Sequence, residues 1–157
     1  MRRNLVFLIA LLLVSVCSKS ETVQLKNYTE VLDALTRGEK VIAVVHFADC
    51  LRTADGKESK SPDAIAGVPL LSFEYFGAGS ITKRAFISTS QTVMIYLAGF
   101  NGFVYNYTKV RAYDDNTVEI TRKYVTTDKF EVQMDELFTG EINDGSNGKG
   151  VYFYIQK

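Results

Sequence analysis

The sequence predicts a mainly β protein, an antiparallel meander forming a small barrel or sandwich with one short N-terminal amphipathic helix. Three observations carry that expectation. From Leu70 onward, stretches of alternating apolar and polar residues follow one another, separated by clusters of Gly, Asn and Asp. Nine Tyr and ten Phe supply large side chains that suit strands better than helices. Near residue 30, the apolar residues instead take helical spacing.

Residues 1–20 stand apart from this fold. Arg2 and Arg3 precede an apolar run from Leu5 to Val16, and the small-residue stretch Cys17-Ser-Lys-Ser20 follows it. A basic start, a short apolar core and small residues behind it describe a secretory signal peptide. A bilayer span needs about 20 apolar residues, so this run is too short for a membrane anchor. Residues 21–157 are then a single β-rich secreted domain. Removing Arg2, Arg3 and Lys19 leaves 15 basic against 18 acidic residues, net −3. That balance gives no footprint for nucleic acid. Cys17 leaves as well, so the mature chain carries Cys50 alone, without an internal disulfide framework. Cys50 is expected to be a buried thiol or an intermolecular partner.

Asn27 followed by Glu30 has the pattern of a helix cap. Tyr28, Val31, Leu32 and Leu35 then lie at i, i+3, i+4 and i+7, and Gly38 suits the stop, so a helix is expected over 28–37. Val41–Phe47 is nearly all apolar and β-branched, which predicts a strand buried on much of both faces. Leu51–Pro69 holds Gly56, Gly67, Pro62, Pro69 and five charged residues between Asp55 and Asp63. It reads as a long mobile loop and as the first place for a partner to bind.

Further strands are expected at Leu70–Phe76, Ala85–Leu97 (long or bent), Phe103–Tyr113, Thr117–Thr126, Phe130–Met134 and Val151–Ile155. Gly77-Ala-Gly79, Gly99–Gly102, Asp114-Asp-Asn116 and Asn143–Gly150 separate them as turns or loops. Phe130, Val132 and Met134 are expected inward, with Glu131, Gln133 and Asp135 outward. Tyr105, Tyr107 and Tyr113 share one parity, either as an exposed binding row or as the wall of a cavity. Asn27-Tyr-Thr and Asn106-Tyr-Thr match the N-glycosylation pattern, which makes Asn27 and Asn106 possible acceptors. A glycan at Asn106 would turn Val104 and Val110 outward, whereas the apolar pattern turns them inward.

Catalytic chemistry finds little purchase. His46 and Cys50 lie about 13 Å apart if they share a strand, and a dyad needs about 3 Å, so a sharp turn after Phe47 would be required. The oxygen-rich loops at Asp114–Asn116 and Asn143–Asp144 lack the spaced acids and closing Glu of a calcium loop. Gly77-Ala-Gly79-Ser80 has no Lys-Ser/Thr pair to close a phosphate cradle. Ser88-Thr89-Ser90 has no base near it in sequence. No enzyme activity, catalytic residue, metal or cofactor is expected.

Leu35-x2-Gly38-x2-Val41 leads through Val44-Val-His46 to Cys50, and Phe73-Glu-Tyr-Phe76, Ala85-Phe-Ile-Ser88 and Val104-Tyr-Asn-Tyr107 follow. With Phe130-Glu-Val-Gln-Met-Asp135 and Gly150-Val-Tyr-Phe-Tyr154, these segments resemble the VirK-like family of small secreted proteins. The resemblance implies a secreted single-domain protein, among animal members similar to mollusc-type secreted proteins of extracellular or shell matrix, and supplies no catalytic residues. Residues and resemblance together suggest a secreted, extracellular, non-enzymatic protein whose partner is another extracellular protein, a matrix or a small apolar ligand. A lipocalin-like ligand-binding barrel is the alternative, and a carboxylate hydrolase a third reading.

Overall fold

A computed structural model of the chain describes residues 22–54 and 56–156, so the signal-peptide reading of residues 1–20 lies outside the described residues. The order is β1 (Val23–Leu25), α1 (Tyr28–Thr36), β2 (Val41–His46), a 3-10 turn (Phe47–Asp49), β3 (Leu51–Ala54) and β4 (Lys57–Ser59). Then come β5 (Ile65–Pro69), β6 (Glu74–Phe76), β7 (Phe86–Leu97), β8 (Gly102–Tyr113), β9 (Thr117–Thr126), β10 (Val132–Glu141) and β11 (Val151–Ile155). Two antiparallel sheets result, one ordered β1-β11-β2-β5 and one ordered β4-β3-β10-β9-β8-β7-β6. They face each other without closing into a barrel, so the architecture is sandwich-like.

Helix α1 starts where its cap predicts. Asn27 accepts a hydrogen bond from the Glu30 amide at 3.0 Å, and its own amide donates to Glu30 Oε1 at 2.9 Å, a reciprocal cap. Gly38 then takes φ +78°, the left-handed conformation that ends the helix. Tyr28, Val31, Ala34 and Leu35 are its buried face. The Tyr28 amide donates to Asn116 Oδ1 at 2.8 Å, and Asn116 sits at φ +66° in the β8–β9 turn. One turn residue therefore anchors the helix start to the large sheet.

The core lies between Val41, Ala43, Val45, Val151 and Phe153 of the small sheet and Ile87, Val110, Val118, Ile120 and Phe138 of the large one. Alternation places these residues together, because period-2 strands bury every second side chain. The long strands β7 and β8, of 12 residues each, reach well past the small sheet, whose longest strand has six. Part of the large sheet's inner face therefore extends beyond the small sheet.

Three expectations need correction. The segment Leu51–Pro69 is not one long loop: it contains β3, β4 and β5, with β3 paired to β10 and β5 to β2. Its prolines fall at or outside strand ends, where no ladder donor is needed. The expected strand Leu70–Phe76 contracts to β6, and Leu70 is instead buried as its amide donates to Val41 O at 2.8 Å. The segment Phe130–Met134 does not alternate as its pattern suggests. A bulge between Val132 and Met134 puts Val132 beside Val125 and Met134 beside Tyr124, on opposite faces. Phe130 lies before the strand at φ +57° and is exposed.

Candidate functional site

The overhang leaves a cleft between the inner face of the large sheet and the edge of the small one. Arg122 on β9 stands at its floor, directly between Thr108 of β8 and Glu136 of β10 in register. The Arg122 guanidinium lies 5.2 Å over the Phe47 ring and 5.6 Å over the Tyr124 ring, and Nη2 donates to the Tyr124 hydroxyl at 2.7 Å. Among the described residues five ion pairs form, and Arg122 takes part in none. It is a cation held by aromatic faces with no carboxylate of its own.

A cavity of about 290 Å³ opens above it, walled by Phe47, Ile65, Val68 and Val93, with Gln91, Asn106 and Thr108 beside Arg122. Asn106 Oδ1 is enclosed there and has no hydrogen-bond partner. An enclosed amide oxygen without a donor is costly, and a bound group offering one would relieve it. A second, more open groove of about 640 Å³ lies on the other side of the Phe47–Asp49 turn, lined by Cys50, Arg52, Ser59, Ser61, Pro62 and Glu136 among others. Here Glu136 is 6% exposed, and Arg52 donates to its Oε1 through Nε at 2.9 Å and also through Nη2. Arg52 Nη1 also reaches Lys60 O at 3.3 Å. This acid is structural: its charge is matched, and it ties β3 to β10.

The VirK protein family matches residues 24–130. The chain belongs to the VirK family. A VirK family protein from Legionella pneumophila, known from its crystal structure, is similar at a TM-score of 0.63 and 15% identity, covering 83% of this chain and 98% of that one. No curated protein matches. At that identity the likeness shows the shared fold alone.

In this VirK chain the sharp turn after Phe47 does exist, yet it does not make a dyad. It brings the Cys50 thiol to the backbone of His46, Sγ donating to His46 O at 3.5 Å. The imidazole lies on Tyr152, ring centroids 5.0 Å apart, on the half-exposed face of β2. Cys50 is a free, buried thiol, and burial above all, then the charge of Asp49, pushes its pKa up to about 11. Such a thiol is a poor nucleophile at neutral pH.

The tyrosine row faces away from the core. Val104 and Val110 are buried inward, so Tyr105 and Tyr107 lie half-buried on the outer face. Tyr113 is buried on that face under Arg84, whose guanidinium sits 3.8 Å from its ring centroid. Asn106 shares the inward parity, so a glycan there would have to occupy the cleft. Asn27 is half-buried in its capping role.

The loop residues spend their oxygens on turns. Asp114 accepts from the Ala85 amide at 3.1 Å, Asp115 accepts from the Thr117 amide at 3.0 Å, and Asp144 from the Ser146 and Asn147 amides at 2.8 Å each. Among the described residues, no group of three His, Cys, Asp or Glu could hold a metal. Gly77-Ala-Gly79-Ser80 is a turn closed by Ser80 N to Gly77 O at 3.1 Å, and Thr89 of the hydroxyl cluster is buried, donating to Ser72 O at 2.6 Å.

Sequence reasoning missed Arg122, Arg52 and Glu136. Arg122 and Glu136 occupy the same parity as Ile120 and Phe138, so a charged residue at an inward position was the available signal.

Proposed function

We propose that this VirK family protein is secreted and acts without catalysis, as an extracellular binding component of the matrix-associated, mollusc-type kind, and that it takes its ligand in the Arg122 cleft. One observation supports the reading: a guanidinium that enters none of the ion pairs among the described residues, beside an unsatisfied amide oxygen, on the floor of a cleft with apolar walls. Such a floor suits a small ligand with an acidic head, a hydrogen-bond donor near it and an apolar body. The lipocalin-like alternative needs an enclosed barrel, whereas these two sheets leave the cleft open.

Two measurements test the reading. Expressed in a secretory host, the chain should leave the cell and start near Lys19 or Glu21, and a released protein retaining Met1 refutes the processing. Titration with a short aryl carboxylate should shift the NMR signals of the Arg122 side chain and the Asn106 amide. Arg122→Leu should abolish those shifts. Binding that survives Arg122→Leu unchanged removes the cleft from the account.

A further inference from the structure

Both sheets have open edges among the described residues: β1 and β5 on the small sheet, β4 and β6 on the large one, and the part of β7 that β6 leaves uncovered. An open edge offers a row of backbone donors and acceptors to any incoming strand, and proteins blunt such edges with shortness, charge or proline. Four of these five are blunted. β1, β4 and β6 have three residues each, β4 reading Lys-Glu-Ser and β6 beginning at Glu74, and β5 ends in Pro69.

The β7 edge has none of these protections. β6 pairs with Phe86–Ser88 only, so Gln91–Leu97 carries β8 on one side and no strand on the other. From Ala85 to Thr108 the sequence holds no charged residue and no proline. Along the edge Met94 is 61% exposed, Tyr96 56% and Val93 46%, so apolar side chains stand on both faces of the unpaired strand.

We propose that two copies of this chain join here, β7 to β7, antiparallel about a two-fold axis, forming one sheet continuous through both molecules. The occupant is a second copy for three reasons. An antiparallel strand pair is self-complementary, so one segment can supply both sides of a closed interface. The segment is neutral, so symmetric pairing sets no like charges opposite one another. An apolar band also crosses the outer face in register, Met94–Tyr105–Val125–Val132, with Tyr96 packed edge-on against Phe103 at 5.5 Å. A two-fold axis at the β7 edge aligns this band with its copy and covers the exposed Met94 and Tyr96 at the seam.

Seven residues of added strand run about 23 Å at ~3.3 Å each. With side chains on both faces such a seam buries on the order of 1,000 Å², the lower end for a specific interface, so the dimer should depend on concentration.

The test uses the full chain from a secretory host, in whatever processed form is recovered, kept in reductant so that Cys50 cannot link molecules. Sedimentation from about 1 μM to about 1 mM should show monomer passing to dimer, and Met94→Lys should raise the dissociation constant at least about tenfold. Hydrogen exchange on the unaltered protein should slow at Gln91–Leu97 amides at the higher concentration, which decides the matter if the variant misfolds. A monomer throughout the range overturns the proposal. So does a dimer whose 91–97 amides exchange no more slowly, or a monomer that instead binds phosphatidylcholine vesicles through this band.

Discussion

Replacing Arg52 by methionine strips the partner from a carboxylate that the fold has taken out of water. Glu136 sits on the inner face of β10 with its side chain 7% exposed, while Arg52 is 29% exposed. An ion pair on the surface contributes only ~0–1 kcal/mol. Breaking a buried pair costs about 3–5 kcal/mol, because one charge stays behind without compensation. The partial exposure of Arg52 lets water reach its place, so Arg52→Met should cost roughly 2–3 kcal/mol, below the fully buried range. For a domain of this size that lowers the melting temperature by about 6–15 °C. Glu136→Gln in the Arg52→Met background removes the stranded charge and should recover more than half of the loss. Urea unfolding of the parent, both single variants and the double variant gives the coupling directly. If Arg52→Met costs under about 0.5 kcal/mol, the pair behaves as a surface pair and the burial argument for Glu136 fails.

Other substitutions probe the same core. The Tyr28 hydroxyl is enclosed with no partner, and burial chiefly, then Tyr75 and Asp114, pushes its pKa up to about 12. Tyr28→Phe should therefore leave stability unchanged or raise it by up to about 1 kcal/mol in thermal melts. Because its folded pKa is raised, the parent should lose stability as pH climbs through about 10 to 12, a loss that Tyr28→Phe reduces. A Cβ at Gly140 would lie 2.9 Å from Cys50 Sγ and 3.1 Å from Val151 Cγ2, so Gly140→Ala should destabilise by about 1–3 kcal/mol. Adding Cys50→Ala should return part of that loss, and no recovery in chemical denaturation would mean the thiol is not the obstacle. For Asp115, burial pushes the pKa up, but hydrogen bonds from Arg84 and Thr117 outweigh it and hold the group at about 2. Its contribution is present above the ordinary aspartate range and is lost as pH falls from about 4 toward 2, so Asp115→Asn should flatten the stability profile there, read by circular dichroism.

What the sequence made legible was whatever repeats with the period of a strand or helix. Val118 and Ile120 alternate with Thr117 and Glu119, and they are buried as that pattern requires. Asn27, Glu30 and Gly38 mark the helix ends by local chemistry, needing nothing distant. The segment 51–69 misled because its strands have three to five residues, too short for a period, and β3 finds its partner β10 more than 80 positions away. The bulge at Val132–Met134 was invisible for a related reason: the sequence shows alternation, not the extra residue that breaks its phase. The cleft depends on how far one sheet outreaches the other, a relation between distant strand lengths rather than a local pattern.

The small sheet has a consequence for how the chain is made. Its strands come from residues 23–25, 41–46, 65–69 and 151–155, and Val23 lies opposite Ile155. β11 sits between β1 and β2, so this sheet cannot be completed until residues 151–155 have left the ribosome. The strands β6 to β10 pair neighbour with neighbour and can zip up as they emerge, since short loops close with little entropic cost. During synthesis, therefore, the long sheet waits with Ile87, Val110, Ile120 and Phe138 uncovered. Ending the chain before Val151 would leave β1 and β2 without the strand that lies between them. A chain shortened at Gly150 should accordingly be a substrate for quality control rather than a slightly weaker version of the same protein.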